Sequence, residues 1–559
     1  MGQKTAMSDA TGSTSYTPDA AGRITSVTTP NGTVGYAFDT ANRRTSMSVT
    51  GTGSWTYSYD AGDRLTQVVN PSSETTAFSY DAANRQTGQT SGNGSTVVTT
   101  FDNANRPTEI LHKNSTGTTL ADFQYAYDGA GNVTSRTDSD GTATAFGYDA
   151  SDQLSSEVRD NSHSTGYSLA YTYDHNANRL TKVVGTGVGA VTTTNTYGTH
   201  DQLLTSGSKS YAYDSNGNCT SVTVGTSVTS ISYDYENRVV GITYPSTATN
   251  SFAYNGNDLR MQKVDSAGTA NYVCDGTTPA SAVLKDGSAV YTPGLSERRG
   301  TTSKFYHGDA LGSTRGITNT SQAVTDSVLY DGFGMTVSRA GTTPTPFGFV
   351  GKGQYQTDSD SGLQLLGHRY YDASVGRFIS SDPAKAGDNW YAYCDNNPLQ
   401  KTDPLGLDPP KGKPVSYEPA KGPDGEAGSH PIYGDGTKGP WRPDVEPPQG
   451  RGGHDRGRNT RPRGGEEHNR APRPADGQRR GGPRRFDWEN FWKKIGEGFS
   501  NAGQYDLGGI PAVDPETKDV TLPMAGAATV GGIAVMFFPM PALEAAGVII
   551  GKEILQGSH

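Results

Sequence analysis

The sequence contains few of the residues that build a conventional hydrophobic core, since hydrophobic residues make up only 32% of its 559 positions. A composition this poor in aliphatic residues is typical of disordered chains. The chain is nevertheless rich in tyrosine, with 30 copies, and in glycine, with 72. Tyrosine and threonine favour the half-buried surface of a β-sheet, and glycine favours tight turns. The mixture predicts many short strands joined by many turns.

Signatures of disulfide scaffolds, nucleic-acid binding and signal peptides are also missing. The three cysteines, Cys219, Cys274 and Cys394, are too few and too scattered for a disulfide framework or a zinc site. The net charge of −10 is mild for this length and does not indicate a nucleic-acid partner for the whole chain. The first ten residues lack an apolar run, so they do not form a secretory signal peptide. We expect no metal and no cofactor.

One motif recurs about twelve times along the first half of the chain. It consists of an aromatic residue, any residue, Tyr or Phe, Asp, a short turn with Asn or Gly, and Arg before a second strand. YSYDAGDRLTQV at 57–68 and FSYDAANRQTGQ at 78–89 are two copies. The first five aspartates fall 20 or 21 residues apart, and the later ones continue the series with insertions between some copies: Asp19, Asp39, Asp60, Asp81, Asp102, Asp128, Asp149, Asp174, Asp214 and Asp234. Such a period indicates tandem structural repeats.

A single copy predicts a β-hairpin. Tyr57 and Tyr59 are two residues apart, so both rings lie on one face of a strand. The segment 60–63 supplies turn chemistry, because Asp bonds its own backbone and Gly permits a positive φ. A lone hairpin is marginal in water, so we expect the copies to stack into one continuous sheet. The Tyr and Asp residues form either a ligand or glycan platform or the packing and turns of the fold. We favour the second interpretation because every copy carries them.

A different set of motifs begins near Phe305. It reads FYHGDALGSTRGITNTSQAVTDSVLYDGFG at 305–334, FGFVGKGQYQTDSDSGLQLLGHRYYDASVGRFISSDP at 347–383 and WYAYCDNNPLQKTDPLGL at 390–407. These segments resemble the RHS repeat-associated core, and the repeats before them resemble the YD repeats of the RHS polymorphic-toxin family. The resemblance covers residues 16–407, and its motifs at 305–407 are highly specific.

The resemblance implies an all-β fold in which tandem hairpins spiral into a hollow β-shell. In bacterial members the shell encloses a variable C-terminal toxin, and the core segment often cuts the chain after a D-P-x-G-L motif. That motif is residues 403–407 here, so the cut would fall between Leu407 and Asp408. Closed shells in the family use far more strands than twelve hairpins supply, so we expect an incomplete shell.

Cleavage by carboxylates needs two of them close together, one ionised and one protonated. In the family they come from paired D-P motifs, which match Asp382 and Asp403 here, and the nearby Arg377 is the candidate that would orient them. The first motif departs from the family pattern at Lys385, where glycine is usual. The alternative is that both Asp-Pro pairs are only turns. His307 and His368 have no partner at ligand spacing, so we expect them to be structural.

The composition changes abruptly after the D-P-L-G-L motif. Residues 408–485 are rich in Pro, Gly and Arg, with eleven Arg against four acidic residues between 451 and 485, which predicts a disordered basic linker. Residues 486–559 predict a small helical region, because Trp488, Phe491 and Trp492 share one helical face and an apolar, proline-interrupted run follows. This region is a candidate toxin or membrane-active segment, although it contains no recognisable catalytic motif.

We therefore divide the chain into YD repeats at 1–300, core at 301–407, linker at 408–485 and variable region at 486–559. The resemblance implies a toxin-delivery protein of interbacterial competition that releases its own C-terminal region as cargo. Its expected partners are an immunity protein and a secretion apparatus, with glycan or membrane contact by the C-terminal region. Export would occur from the cytoplasm to the cell surface or medium without a signal peptide. The alternatives are a surface adhesion or carbohydrate-binding protein, and a truncated, non-catalytic fragment.

Overall fold

The computed structural model of the chain describes residues 4–161, 166–385 and 387–407, together with five short strands beyond residue 415. It contains one long antiparallel sheet, β1–β26, in which every strand pairs with the next along the chain. Among the described residues β1 and β26 do not pair with each other, so the sheet is not closed. This architecture confirms the predicted all-β shell of stacked hairpins, incomplete as expected.

The strands of this sheet are four to nine residues long. They are β1 Ala6–Asp9, β2 Gly12–Pro18, β3 Ile24–Thr29, β4 Gly32–Phe38, β5 Arg44–Val49, β6 Gly53–Tyr59, β7 Leu65–Val69, β8 Thr75–Tyr80, β9 Gln86–Thr90, β10 Thr96–Phe101, β11 Pro107–Lys113, β12 Thr119–Tyr127, β13 Val133–Asp138, β14 Ala143–Tyr148, β15 Leu154–Arg159, β16 Tyr167–Tyr173, β17 Arg179–Val184, β18 Val191–Tyr197, β19 Leu203–Ser206, β20 Lys209–Tyr213, β21 Cys219–Val224, β22 Ser227–Tyr233, β23 Val239–Thr243, β24 Thr249–Tyr254, β25 Arg260–Asp265 and β26 Gly268–Asn271.

Two smaller antiparallel sheets follow. The first contains β27 Val273–Cys274, β28 Val283–Lys285, β29 Val290–Thr292, β30 Ser296–Arg299, β31 Thr302–Gly308, β32 Thr314–Thr318, β33 Val324–Tyr330 and β34 Thr336–Ala340. The second contains β35 Gln356–Thr357, β36 Gln364–Leu366, β37 Arg369–Asp372 and β38 Arg377–Phe378. Single 3-10 turns lie at Gly187–Gly189, Thr199–Asp201, Gly351–Gly353 and Cys394–Asn396. The predicted boundary at residue 300 falls between β30 and β31.

The hairpin turns follow one design, which the turn between β6 and β7 illustrates. One carboxylate oxygen of Asp60, Oδ1, accepts the N–H groups of Gly62 at 2.8 Å and Arg64 at 3.0 Å. Asp63 donates its N–H to the Asp60 carbonyl and adopts a left-handed φ of 62°. The pairing shifts by one residue where the turn meets the strands, as in a β-bulge. The repeat aspartate therefore builds the turn.

The tyrosine before the aspartate joins each hairpin to its predecessor. Tyr59 donates its hydroxyl to the Arg44 carbonyl at 2.9 Å, and Tyr80 donates to the Leu65 carbonyl at 2.7 Å. Arginines of the preceding turn lie over the same rings, as Arg64 lies 5.0 Å from the centre of Tyr80. These contacts give the Tyr and Asp residues packing and turn roles, as we favoured from the sequence.

The first sheet curls back towards its own beginning. The Gly256 N–H donates to Asp9 Oδ2 at 2.8 Å, although the two residues are 247 positions apart. Later segments then pack against the buried face of the repeats. The rings of Tyr171 and Phe333 lie 5.3 Å apart, and those of Phe252 and Tyr370 lie 5.6 Å apart. Residues after 271 therefore supply much of the hydrophobic core that the repeats lack.

The predicted linker and helical region lie almost wholly outside the described residues. In this part of the chain the structure describes β39 Ser416–Lys421, β40 Ala427–Ile432 and β41 Arg442–Pro443, which form one antiparallel sheet within a separate unit, Lys411–Lys494. It also describes β42 Ala512–Val513 paired with β43 Val520–Thr521.

Candidate active site

Asp382 lies in a tight turn shortly after β38. Its Oδ1 atom accepts the N–H of Ala384 at 2.8 Å, and its carbonyl accepts the N–H of Lys385 at 3.0 Å. Lys385 has a left-handed φ of 50°, a conformation that favours glycine. The Asp382 N–H in turn donates to the carbonyl of Trp390 at 3.0 Å. The departure at Lys385 therefore occurs inside a turn that still forms.

Asp403 lies in a second turn of the same kind. Its Oδ1 atom accepts the N–H of Leu407 at 2.9 Å, and its carbonyl accepts the N–H of Gly406 at 3.2 Å. The Asp403 N–H donates to the hydroxyl of Tyr355 at 2.6 Å, which lies 3.1 Å from the hydroxyl of Tyr393. The D-P-L-G-L motif is thus a turn held by its own aspartate and anchored by a buried tyrosine pair.

The hairpin of β36 and β37 holds this second turn in place. The N–H of His368 donates to the carbonyl of Leu405 at 2.9 Å, and Arg369 Nε donates to the carbonyl of Gly406. Gly406 has a φ of 62°, and a Cβ atom there would lie 2.2 Å from the backbone oxygen of Leu366. Only glycine fits this close approach of two backbone segments.

Arg369 joins the surroundings of the two aspartates. Its Nη1 atom donates to the carbonyl of Trp390, the residue that also accepts the Asp382 N–H, at 2.9 Å. Its Nη2 atom lies 3.6 Å from Asp403 Oδ2, and its guanidinium stacks 3.6 Å from the centre of the Phe378 ring. Because the arginine is about 1% exposed, its charge acts on Asp403 with little screening by water.

Burial dominates the electrostatics of the pair. Asp382 and Asp403 are 2% and 3% exposed. Burial raises the pKa of Asp403 to about 6, against the opposing effects of the Arg369 charge and the Leu407 N–H, and the charge of Asp382 raises it further. Two buried carboxyls that influence each other favour a state in which one proton remains on the pair. Asp403 therefore binds its proton more tightly than an ordinary aspartate does.

The other predicted site residues lie as follows. Arg377 contacts Asn178 at 3.4 Å and the carbonyl of Asp201, and its guanidinium lies 5.0 Å from the Tyr391 ring. The position beside Asp403, which we had expected Arg377 to approach, belongs to Arg369. Leu407 is buried, at 3% exposure, and Asp408 lies outside the described residues.

Of the two histidines singled out in the sequence, His307 is buried and His368 is half-buried. His307 Nδ1 lies 3.1 Å from His112 Nδ1, and His307 Nε2 lies 2.8 Å from Thr318 Oγ1. His368 Nδ1 lies 3.5 Å from Asp258 Oδ2, and burial lowers the His368 pKa to about 4. Across residues 4–161, 166–385 and 387–407, no three His, Cys, Asp or Glu side chains lie close enough to hold a metal ion.

Sequence reasoning overlooked Arg369 and Tyr355. Both lie inside the motif at 347–383, but their spacing from Asp403, 34 and 48 residues, carries no signal of contact. The only available hint was that a buried aspartate needs a cation or donors nearby. Gly406 was visible in the motif, although its close contact with Leu366 was not.

Comparisons with known proteins find similarity to YD-repeat proteins and to toxins. The profile of the teneurin YD-shell family matches residues 2–180. A tRNA3(Ser)-specific nuclease, WapA of Bacillus spizizenii, is 27% identical over 44% of this chain and 11% of its own length. A double-stranded DNA deaminase toxin A of Burkholderia cenocepacia is 26% identical over 51% of this chain and 22% of its own length. These matches support a resemblance of the chain to the RHS/YD-repeat toxin family.

A solved structure matches a larger share of the chain. The crystal structure of TcdB2-TccC3-TEV superposes with a TM-score of 0.60 over 72% of this chain and 24% of the other, at 17% identity. At this identity the match shows a shared fold. The chain spans about a tenth to a fifth of the length of the two curated relatives. In the described part of the protein, no helix is long and apolar enough to span a bilayer.

Proposed function

We propose that this chain belongs to a toxin-delivery protein whose core cuts its own backbone between Leu407 and Asp408. The single observation that carries the proposal is the buried pair, Asp382 and Asp403. Both carboxyls are buried, and Asp403 accepts the N–H of Leu407, the residue before the proposed cut. The separated C-terminal region would then be the cargo.

The proposed chemistry is carboxylate-assisted hydrolysis with one proton shared between the two aspartates. The ionised carboxylate takes a proton from water while the water oxygen bonds to the carbonyl carbon of Leu407. The protonated carboxyl gives its proton to the amide nitrogen of Asp408, and the carbon–nitrogen bond breaks. The products are a carboxylic acid at Leu407 and a free amine at Asp408, so atoms and protons balance.

Arg369 is the proposed positioning residue. It holds the Gly406 carbonyl and the Trp390 carbonyl, and thereby fixes the turns of Asp403 and Asp382 relative to each other. Its charge also opposes the burial that raises the pKa of Asp403. It would keep the pair from holding a second proton near neutral pH.

The delivery role rests on the relatives. Their printed names give a tRNA nuclease and a double-stranded DNA deaminase, two different activities among proteins that share similarity with this chain. A shared scaffold with exchangeable cargo explains this pattern. Under the proposal the protein is exported, and a cognate immunity protein protects the producing cell. The activity of the region after Leu407 is left unassigned.

An intact-mass spectrum of the full chain tests the cleavage. Two fragments that meet at Leu407 and Asp408 are expected from the native protein. One full-length chain is expected from Asp403→Asn and from Asp382→Asn, because an amide neither takes nor supplies the required proton. The matched control is Asp388→Asn, an exposed aspartate of the same segment, which should cut like the native chain.

An uncut native chain would refute the cleavage and leave a scaffold that retains its C-terminal region, as an adhesion protein or an inactive fragment would. Cleavage that persists in both aspartate variants would also refute it, and would point to an external protease.

A further inference from the structure

The repeat turns differ at one position, the fourth residue after the repeat aspartate. In one group of repeats this residue is arginine, and in the other it is asparagine or glutamine. The arginine group consists of Arg23, Arg43, Arg64, Arg85, Arg106 and Arg238. The amide group consists of Asn132, Gln153, Asn178 and Asn218. The two groups are consecutive along the chain, apart from the return of arginine at 238.

An arginine turn uses its side chain only to bridge neighbouring repeats. Arg64 Nε donates to its own Asp60 at 2.7 Å, and Arg64 Nη1 donates to the Asp81 carbonyl at 3.1 Å and to Asn84 Oδ1 at 3.0 Å. A guanidinium contains five donors and no acceptor. An arginine turn therefore joins its own repeat to the next and presents no acceptor from this side chain to a third segment.

An asparagine turn makes the same bridge and has an acceptor left over. Asn178 Nδ2 donates to its own Asp174 at 3.1 Å and to Asp201 Oδ1 of the next turn at 2.7 Å. The amide oxygen takes no part in this bridge. It accepts Nδ2 of Asn389, a residue of the core, at 2.8 Å.

The same contact recurs in two earlier turns. Asn132 Oδ1 accepts Asn397 Nδ2 at 2.8 Å, and Gln153 Oε1 accepts Asn396 Nδ2 at 3.0 Å. The residue numbers of the core asparagines rise as those of their repeat partners fall. The core segment therefore runs across the turns in the opposite direction to the repeats. At Asn218 the contact uses the backbone: Asn218 forms a β-bridge with Ser380.

Burial separates the two groups of turns. The side chains of Arg23, Arg43, Arg64, Arg85 and Arg106 are 22–31% exposed. The four amide residues are 1–8% exposed, because the core segment covers them. Arg238 lies between the two groups, since its side chain is 15% exposed, and the nearby core residue His368 lies 3.5 Å from Asp258 of the next turn. The turn at 198–202 has Gly198 in place of the aspartate and stands outside the comparison.

We propose that the residue at this fourth position determines which repeats receive the core segment. Arginine makes the hydrogen bonds between neighbouring repeats but excludes the core segment, because its side chain offers no acceptor and fills the space. Asparagine or glutamine satisfies the same bridge and supplies one acceptor for a core asparagine. Asn132, Gln153 and Asn178 are thus positioning residues that align the segment between Asp382 and Asp403 on the shell.

This inference does not depend on the proposed cleavage, because it concerns docking of residues 389–397 on the repeats. Its test accordingly measures docking directly. An uncut chain with a docked core would refute the cleavage and leave the docking rule standing.

Hydrogen–deuterium exchange of the full chain, read from peptides within 387–400, tests the rule. Asn178→Arg keeps the donors of the bridge but removes the acceptor of Asn389 and adds bulk in a buried space. Asn389 Nδ2 keeps its bond to the Asn176 carbonyl, but its second N–H loses its acceptor in a buried site. We therefore expect exchange in these peptides to become about tenfold faster or more. The matched control, Arg64→Asn, alters an arginine turn in the opposite sense and should leave these peptides unchanged.

A variant on the core side covers the case in which Asn178→Arg disturbs the repeat itself. Asn389→Ala leaves the side chains of the repeat turn intact and removes the donor to Asn178, together with the bonds of Asn389 to the Asn176 carbonyl and the Tyr391 N–H. It should therefore speed exchange in the same peptides at least as much as Asn178→Arg. The double variant should exchange no faster than Asn389→Ala alone, because Asn389→Ala already removes the contact that Asn178→Arg breaks. Unchanged exchange in Asn178→Arg, equal acceleration in Arg64→Asn, or additive effects in the double variant would each overturn the proposal.

Discussion

The exposed repeat turn at Asp60 and the buried core turn at Asp403 share one backbone design. In both, Oδ1 of the aspartate accepts the N–H of the fourth following residue, at 3.0 Å from Arg64 and at 2.9 Å from Leu407. In both, the third following residue is left-handed, with φ of 62°. The turn that builds the shell is therefore used again at the candidate active site.

The two turns differ in what surrounds the carboxylate. The Asp60 side chain is 24% exposed, and hydrogen bonds from the Arg64 backbone and guanidinium lower its pKa. At Asp403 the fourth residue is Leu407, and burial raises the pKa to about 6. The comparison teaches that burial and the fourth residue, rather than the turn itself, decide whether such an aspartate is structural or suited to proton transfer.

The largest expected effect comes from removing the buried cation. Arg369→Met would remove the arginine donors to the Gly406 and Trp390 carbonyls and leave Asp403 without this cation, so we expect a loss of about 3–5 kcal/mol in the free energy of unfolding. Urea denaturation of the full chain measures it. Arg64→Met, at the exposed turn, should cost about 1 kcal/mol or less. Similar losses at both sites would contradict the contrast in burial.

The backbone approach at Gly406 is the second test. Gly406→Ala would place a Cβ atom 2.2 Å from the Leu366 backbone oxygen, in a left-handed conformation that itself costs 1–2 kcal/mol for alanine, so we expect about 3 kcal/mol in total. Gly225→Ala is the matched control, since φ is 58° and nothing lies within 4 Å of the added atom. Thermal unfolding should show a clearly larger fall in midpoint for Gly406→Ala. Equal falls would mean that the turn can move away from β36.

The shell was predictable from the sequence because its determinants are local. The repeat aspartate bonds backbone groups within four residues, so the motif reports its own turn. The site was predictable only in part. Asp382 and Asp403 were visible as motif members, whereas Arg369 and Tyr355 reach Asp403 through tertiary packing. Arg377 was chosen because it lies five residues from Asp382, yet β38 directs it towards Asn178.

The pH dependence of stability should have opposite signs at the two turns. The pKa of Asp403 is raised in the folded state, so its contribution is fully present below its ordinary pKa of 3.8 and is lost as the pH rises through about 6. The pKa of Asp60 is lowered, so its contribution is present above 3.8 and is lost as the pH falls.

Urea unfolding between pH 3 and pH 7 checks these signs. Asp403→Asn should flatten the loss of stability between about pH 4 and pH 6, an effect on the order of 1–3 kcal/mol. Asp60→Asn, the matched change, should leave the pH dependence of stability between pH 4 and pH 6 unchanged. It should flatten only the loss of stability at more acidic pH. A slope between pH 4 and pH 6 that survives Asp403→Asn would assign the titration to another group.

The smallest expected effect tests the tyrosines that join the hairpins. Tyr80→Phe removes one hydroxyl that donates to the Leu65 carbonyl, so we expect a loss of about 0.5–1.5 kcal/mol in the free energy of unfolding. Tyr355→Phe removes a hydroxyl that accepts the buried N–H of Asp403, and leaving that donor unpaired should cost about 1–3 kcal/mol. Urea denaturation of both variants ranks them. If Tyr80→Phe cost as much as Tyr355→Phe, the exposed turns would depend on each hydroxyl as strongly as the buried turn does. The exposed and buried turns would then differ only in the pKa of their aspartates.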